Sequence, residues 1–329
     1  MMINDVSFIV IARNEEFAVH KCLSSIFTMP LKNCEVICVD SASTDDTLEV
    51  MKKYAKDNPC MSIFRCRGNV NAAVARNVGL VRAKKKYICF CDGDTAWESN
   101  FISQALTLME AGEAGAVTGC LKEIVYSNSH KIILQTSERI SYPKRMAIYH
   151  CGGNFMVRKE IADKAGLWEE RMVRNQDIDY TLRVSRYGRF IGLPVLMGTH
   201  HTKKYDERVW DILWKGLSRA QGALIRKNLD RPKAIAALLM KHRAYTAGYL
   251  FYILCIVAII LIFCNVWSPI YIAALPLSFL LMDLLRGVFK RESLLERFVA
   301  HYCYIPAIMM GLLFGPGTKK GESYVEIIH

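Results

Sequence analysis

The chain has no basic, cleavable leader before its first apolar run, entering Val6-Ser7-Phe8-Ile9-Val10-Ile11 almost at once. Such a run reads as a buried strand rather than an export signal, so the catalytic part is expected to stay in the cytosol. Cysteine is plentiful, twelve in 329 residues, but metal-ligand spacing is missing among them. Cys89 and Cys91 sit inside an apolar stretch, and thiols scattered in this way fit a reducing compartment better than a disulfide frame or a zinc site. Acidic residues fall short of basic ones, 31 against 43, leaving a formal net charge of +12. The excess implies an acidic partner: nucleic acid, anionic lipid headgroups or phosphate-bearing substrates. No nucleic-acid-binding module is recognisable, and that partner would leave the apolar segments unexplained.

Charge is absent altogether from Ala244 to Val266, long enough to span a hydrocarbon core of about 30 Å. Pro269 to Leu285 reads as a second span, interrupted by Asp283 near its end. The link between them, Asn265 to Ser268, is uncharged, whereas Arg286, Lys290, Arg291 and Arg297 follow the second span. Both flanks of this hairpin are therefore expected on the cytoplasmic side. Residues 298–315 are apolar too, but His301, Pro306 and glycines leave both a third span and a re-entrant or interfacial segment open; if the segment crosses, the C-terminus ends outside. Ahead of the hairpin, residues 207–243 set Trp210, Leu213, Trp214, Leu217 and Leu224 at helical spacing beside Lys215, Arg219, Arg226, Lys227, Lys233, Lys241 and Arg243. That pattern predicts helices lying on a membrane surface, basic side toward anionic headgroups; an amphipathic helix on a soluble core is the alternative.

The first 206 residues follow a different rule. Short β-branched runs at 6–12, Glu35–Val39, Met61–Arg65 and Tyr87–Cys91 alternate with helical patterns ending near Phe27, over Asp46–Ala55 and over Asn71–Ala83. Alternation of this length predicts an α/β domain with a parallel sheet covered on both faces. Further on, the pattern predicts a helix over 100–112, a strand at Ala116–Thr118, an irregular stretch to Met146, a glycine turn and strand over Gly152–Val157, helices over Lys159–Ala165 and Asp177–Tyr187, and a last strand at Val195–Met197. Ligands of such sheets sit at the carboxyl ends of the strands, where Arg13, Asp40 and Asp92 fall. Asp92-Gly93-Asp94 ends a buried run with paired carboxylates that need a cation, and a hard ion such as Mg²⁺ or Mn²⁺ prefers one or two carboxylates plus substrate phosphates. An isolated acidic turn would look the same; its place after an apolar strand favours the metal.

With these residues in order, the segment from 6 to about 201 resembles the family 2 glycosyltransferases, which have the GT-A fold (a Rossmann-like nucleotide-diphospho-sugar transferase domain). S-F-I-V-I-A-R-N-E-E is similar to the family's first strand and nucleotide loop, and Val39 to Thr47 is similar to its V-D-D-G-S-T-D-x-T motif. Ala75-Arg76-Asn77-Val78-Gly79 resembles the A-R-N-x-G helix at the diphosphate, D-G-D the metal motif, and Gln176-Asp177-Ile178-Asp179 stands where the family has E-D-x-D.

The resemblance implies that Ile11, Arg13 and Glu15 surround base and ribose, although Glu15 equally suits a helix N-terminus. It implies that Asp40 accepts from the base of a UDP- or GDP-sugar, that Arg76 meets the pyrophosphate, and that Asp92, Gly93 and Asp94 form the metal and ribose turn. Asp177 would be the general base of an inverting transfer. Gln176 removes one charge from the usual pair, while Asp179 is expected to be structural, partnering Arg183. Gly153 and Asn154 resemble the acceptor-side loop, though a tight turn alone would explain them. Of the neighbours His200 and His201, His201 is favoured as a metal or diphosphate contact over a purely structural role. The Q-x-x-R-W motif of processive synthases is missing, so transfer of one sugar is expected.

The expected layout is thus a cytoplasmic GT-A domain over 1–206, interfacial helices over 207–243 and a membrane region over 244–329 with spans at about 244–266 and 269–285. The expected activity is metal-dependent, non-processive sugar transfer to a lipid-linked acceptor in exopolysaccharide or cell-envelope synthesis, in the manner of succinoglycan-type transferases. Transfer straight to polyprenyl phosphate and a non-catalytic membrane scaffold are the alternatives, and no nucleic-acid partner is expected.

Overall fold

Every residue of Val6–Ala12 (β2) is buried, which is what a strand covered on both faces requires. In the computed structural model, residues 2–127, 129–203, 212, 218–241, 244–264, 268–289, 293–317 and 323–329 are described. They fall into two units, Met1–Tyr205 with Lys319–His329, and Asp206–Thr318.

In the first unit β2 lies between β1 (Ile3–Asn4) and α1 (Glu16–Phe27), followed by β3 (Leu31–Lys32), β4 (Glu35–Ser41), α2 (Thr47–Asp57), β5 (Met61–Gly68), α3 (Ala72–Leu80) and β6 (Tyr87–Asp92). Next come β7 (Thr95–Trp97), α4 (Ser99–Glu110), β8 (Ala116–Tyr126), β9 (Ile132–Ile140), β10 (Met146–Ala147), β11 (Phe155–Arg158), α5 (Lys159–Ala165), α6 (Gln176–Tyr187) and β12 (Phe190–Lys203). In the second unit α7 (Arg219–Lys227), α8 (Pro232–Lys241), α9 (Ala244–Phe263) and α10 (Pro269–Phe289) precede α11 (Leu294–Phe314), which contains a π turn at Val299–Cys303. The last strand is β13 (Ser323–Ile327).

The main sheet runs β10-β12-β8-β11-β6-β2-β4-β5-β13, with β7 on β12 and β9 on β8. Its β6-β2-β4-β5 block is parallel, so β2, β4 and β6 end on one edge, with Asp40 opposite Ala12 and Asp92 opposite Ile11. One face carries the cluster around Phe8, Val10, Leu23 and Phe101, the other that around Ile9, Val39, Phe90 and Trp168.

The sheet is mixed rather than purely parallel, because β11 enters antiparallel between β6 and β8. The stretch expected to be irregular contains β9, whose Ile132, Ile133 and Leu134 are all exposed; a strand without a buried face shows no alternation to read. The short strands expected at Ala116 and Val195 belong to much longer β8 and β12, which pair in parallel. Pro194 is tolerated because it falls at a register shift between Leu193 and Leu196. β13 pairs antiparallel with β5, so the main sheet includes residues beyond the expected membrane spans, outside the expected 1–206 boundary.

In the second unit, Leu213, Trp210, Trp214, Leu217, Lys215 and Arg243 of the expected interfacial helices lie outside the described residues, as do Lys290, Arg291 and residues 265–267 of the hairpin. Leu224 of α7 is fully buried, while Arg226 and Lys227 are exposed. Among the described residues Leu294–Phe314 is long and apolar enough to cross a membrane, and the apolar run Ala247–Phe263 is shorter. The undecided segment 298–315 is therefore part of a continuous helix that begins at Leu294. Ile253, Ile256, Ile260 and Phe263 of α9, Leu277, Leu281 and Phe289 of α10, and Leu313 and Phe314 of α11 stand more than half exposed. Apolar surface of this extent calls for lipid or a partner.

Candidate active site

Each part of A-R-N-x-G has a separate task. Asn71 caps α3 by accepting from the Val74 N–H at 3.0 Å. A Cβ on Gly79 would lie 2.2 Å from Ile9 Cγ2, so this glycine lets α3 settle directly on β2. Asn77 clamps the chain at Trp168, its Nδ2 donating to the Trp168 carbonyl at 3.0 Å and its Oδ1 accepting from the Trp168 N–H at 2.7 Å. Arg76, three residues before Gly79 and on the same side of the helix, reaches the sheet edge. Its Nη2 donates to Asp92 Oδ1 at 2.6 Å, its guanidinium lies over the Trp168 ring at 4.6 Å, and its buried Nη1 has no hydrogen-bond partner. A buried guanidinium nitrogen left open beside a cavity is poised for an anion.

The second motif works across loops. The N–H groups of Asn14, Glu15 and Glu16 open α1, and they donate to Ser43 Oγ at 3.0 Å, Thr47 Oγ1 at 2.8 Å and Asp45 Oδ2 at 3.2 Å. These donors are left over at any helix start, and here the neighbouring loop satisfies them. Asn14 returns the contact, accepting from the Thr44 N–H at 2.8 Å. The two loops are fixed as one piece, which holds Arg13 and Glu15 in place. Ala42 lies in the left-handed region with φ 59°, at the position where the resembling motif has glycine. An alanine there costs roughly 1–2 kcal/mol of backbone strain.

The third part is the D-G-D turn. Gly93 donates to the Ile11 carbonyl at 2.8 Å, and a Cβ on it would come within 2.7 Å of Ala12 Cβ. Asn154 grips Asp92 twice: its Oδ1 accepts from the Asp92 N–H at 2.7 Å and its Nδ2 donates to Asp92 Oδ2 at 3.1 Å. Pairing of β7 with β12 sets His200 opposite Thr95, and His200 Nε2 lies 2.9 Å from Asp94 Oδ2. Arg139 of β9 joins both His200 and Glu123.

His201 points the other way. Its Nδ1 lies 3.0 Å from the Tyr126 hydroxyl, and burial pulls its pKa down to about 4. The imidazole beside Asp94 is thus His200 and not His201, because neighbours on a strand face opposite sides of the sheet.

These parts line a cavity of about 310 Å³. Ile11, Arg13, Glu15, Arg76, Asp92, Gly93 and Asp94 are in its wall, together with Ala12, Ser41, Asn71 and Ala72, to which the sequence assigned no site role. Burial pushes the Glu15 carboxyl up to about 8, with the charge of Asp94 adding to it. Burial also raises Asp92, against the pull of Arg76 and with a further push from Asp94. Carboxylates that repel one another in a half-closed cavity fit a bound cation. Among the described residues no three His, Cys, Asp or Glu side chains converge as a ready cage. A hard cation that takes the rest of its shell from water and phosphate needs none.

Asp40 does not reach the cavity. Its carboxylate is fully buried, accepting from the Ser43 N–H at 3.2 Å and meeting Arg65 Nε at 3.1 Å, so it braces the second loop from beneath. Asp177, Gln176, Gly153 and Asn154 are likewise outside the cavity wall. Asp177 lies in the first turn of α6, which follows Asn175 held at φ 61°, and its Oδ1 accepts from the Ile178 N–H at 2.9 Å. Asp179 pairs with Arg183 at 2.9 Å, as their spacing implies. Two glycines bridge Asp177 to the cavity: a Cβ on Gly152 would lie 3.9 Å from Asp177 Oδ2, and one on Gly153 would lie 2.2 Å from Arg76 Nη2 and 3.0 Å from Asp92 Oδ2.

A family model for glycosyl transferase family 2 matches residues 7–166. The chain carries a glycosyl transferase family 2 domain. The family 2 domain is 37% identical over 107 residues to the UDP-Glc:alpha-D-GlcNAc-diphosphoundecaprenol beta-1,3-glucosyltransferase WfaP of Escherichia coli, covering 32% of this chain and 41% of that protein. The chain thus spans less than half the length of that relative. Amylovoran biosynthesis glycosyltransferase AmsB of Erwinia amylovora is 26% identical over 215 residues, covering 60% of this chain and 70% of its own. Among solved structures, S. aureus TarS 1-349 in complex with UDP-GlcNAc superposes with a TM-score of 0.53 at 18% identity, over 67% of this chain and 66% of that one. At that identity the likeness establishes the fold, a mixed α/β GT-A-like arrangement.

Within the family 2 domain the glycine pair separates two effects. Gly153→Ala forces Arg76 and Asp92 apart and is expected to lower stability by about 1–3 kcal/mol, the usual cost of overfilling a packed site. Gly152→Ala meets only ordinary contact and should melt with the unaltered protein. Thermal denaturation of both variants checks this; equal melting would mean that residue 153 has room to spare.

Proposed function

We propose that this chain transfers a single sugar from a nucleotide-sugar donor to a lipid-linked acceptor, at a membrane surface, in exopolysaccharide or cell-envelope glycan synthesis. The observation that carries the reading is the joint presence, in one cavity at the carboxyl edge of the sheet, of Arg76 with an open nitrogen and of the mutually repelling Glu15, Asp92 and Asp94. A cavity that attracts both an anion and a cation suits a diphosphate with its counter-ion. Arg13 and Ser41 line the same space and are available to base and ribose. Relatives support the substrate class, WfaP acting from UDP-Glc onto a diphosphoundecaprenol-linked sugar and TarS binding UDP-GlcNAc.

Asp94, with His200 and Asp92 beside it, would hold Mg²⁺ or Mn²⁺. A divalent ion there supplies positive charge to a departing nucleotide diphosphate. Arg76 adds a fixed charge beside Asp92, already oriented by Asp92 and Trp168, so it needs no reorganisation during reaction. Asp177 takes the proton of the acceptor hydroxyl as its oxygen bonds to the anomeric carbon on the face opposite the departing nucleotide diphosphate, a single displacement that inverts that centre. Gln176 leaves this carboxylate without the acidic neighbour of the usual pair. The apolar faces of α9, α10 and α11 anchor the enzyme as a multi-pass protein of the cell membrane, with the family 2 domain on the cytoplasmic side.

Melting the detergent-solubilised chain with UDP, GDP or dTDP, with and without Mn²⁺, tests the reading. A ligand at 100 times its Kd adds about 2.7 kcal/mol of stability by mass action. UDP with Mn²⁺ is expected to raise the melting temperature more than either alone. The reading fails if no nucleotide shifts melting under any metal condition.

A further inference from the structure

The path of the chain through its own sheet constrains how it crosses a membrane, a deduction that rests on the membrane reading proposed above. β12 leaves the main sheet at Lys203, and β13 rejoins that sheet on β5, with Val325 opposite Cys66 and Arg67 Nε 2.9 Å from Glu326. A sheet of this kind, with solvated loops at its edges, cannot straddle a bilayer. Between residues 203 and 323 the chain must therefore cross an even number of times. Yet three long apolar helices, α9, α10 and α11, lie in that interval.

Charge and packing single out the one that stays. α9 has no charged residue and α10 carries Asp283 and Arg286 near its end, whereas α11 holds Glu296, Arg297 and His301 in its first half. Basic residues precede α9 and cluster between α10 and α11, while the link from α9 to α10 has none. By the inside preference of Lys and Arg, α9 and α10 form the crossing hairpin and α11 starts on the sheet's side.

Both ends of α11 are tied to elements of that side. At its start, Arg297 Nη2 lies 2.7 Å from Asp283 Oδ1, while His301 Nδ1 at 3.0 Å and the Tyr302 hydroxyl at 2.9 Å meet Asp283 Oδ2. The π turn widens the helix by one residue, which lets the adjacent His301 and Tyr302 both face the same carboxylate. At its end, Arg219 Nε of α7 donates to the Gly315 carbonyl at 2.7 Å and Arg226 donates to that of Leu313. Gly222 and Gly311 are positions where a Cβ would strike the Ile308 and Arg219 carbonyls at 1.8 Å, so α7 and α11 run in direct backbone contact. No long apolar run separates α7 from β12, which keeps α7 on the sheet's side.

We infer that α11 lies in the leaflet facing the catalytic sheet without crossing it, and that its exposed Leu294, Phe298, Met309, Leu313 and Phe314 form a contact surface for the acyl chains of that leaflet. α9 and α10 are the crossing pair.

Native thiols allow the test on the full chain. Cys60 and Cys264 are both exposed, one in the catalytic unit and one at the far end of α9. Sealed vesicles of either orientation are treated with an impermeant maleimide and mapped by peptide mass; a protease-sensitive tag is appended after His329, and a second tag is inserted at 291 in a separate variant. Cys60 and both tags should react from one side and Cys264 from the other. The inference is overturned if the His329 tag sorts with Cys264, if the 291 tag sorts with Cys264, or if both thiols react from the same side. Release of the chain from membranes by carbonate would instead sink the membrane reading itself, which separates the two failures.

Discussion

Asp94→Asn lowers sugar transfer by about 10²–10³-fold, the scale of losing one pre-set charge partner at a reacting group, while the protein melts at or above the wild-type temperature. The stability half of this expectation follows from the electrostatics. Asp94 raises both Glu15 and Asp92, so removing its charge relieves repulsion in the cavity. Asparagine keeps an oxygen for Thr95 Oγ1, which donates to Asp94 Oδ1 at 3.3 Å, so the turn keeps its shape. Thermal shift supplies the readout beyond turnover: the increment that Mn²⁺ adds to UDP should vanish, while any shift from UDP alone, carried by Arg76, should persist. A variant that keeps both its turnover and its Mn²⁺ increment would remove Asp94 from the metal site.

What the sequence made legible was the carboxyl edge. Arg13, Glu15, Arg76, Asp92 and Asp94 come from two strand ends and a helix, and one cavity gathers them. They were readable because a parallel sheet leaves its loops at a single edge, so the order of strands predicts proximity. Residues that act by buried hydrogen bonding were not. Asn77 and Trp168 are 91 positions apart, and their mutual clamp has no periodicity or spacing that would announce it. Asp40 sits in a motif that suggests a ligand contact, but Arg65 opposite it on β5 neutralises it beneath the surface. The choice between His200 and His201 depends on strand register, and one residue of slip exchanges the two faces. β13 was hidden for another reason: its partner β5 lies more than 250 residues away, and a five-residue edge strand carries little pattern of its own.

Asp177 lies outside the cavity wall and gives the sharpest division of roles. Asp177→Asn is expected to cut turnover by about 10²–10⁴-fold, the range for loss of a general base, with no change in the UDP and Mn²⁺ thermal shift. The side chain lines no part of the nucleotide cavity, and asparagine can still accept from the Ile178 N–H that Asp177 Oδ1 holds at 2.9 Å. The first turn of α6 therefore keeps that hydrogen bond, and the loss must come from the acceptor side. Saturating acceptor should not restore the rate, because the missing group removes a proton rather than binding the hydroxyl. The neighbouring Gln176 sharpens the contrast. Gln176→Glu restores the second carboxylate of the family pair, and an Asp177→Asn background that recovered activity through it would show that position 176 can serve as the base. If Asp177→Asn transfers sugar at the wild-type rate, the proton must go to another group. Gly152 and Gly153 would then be a packing solution around Arg76 rather than the bridge between donor and acceptor.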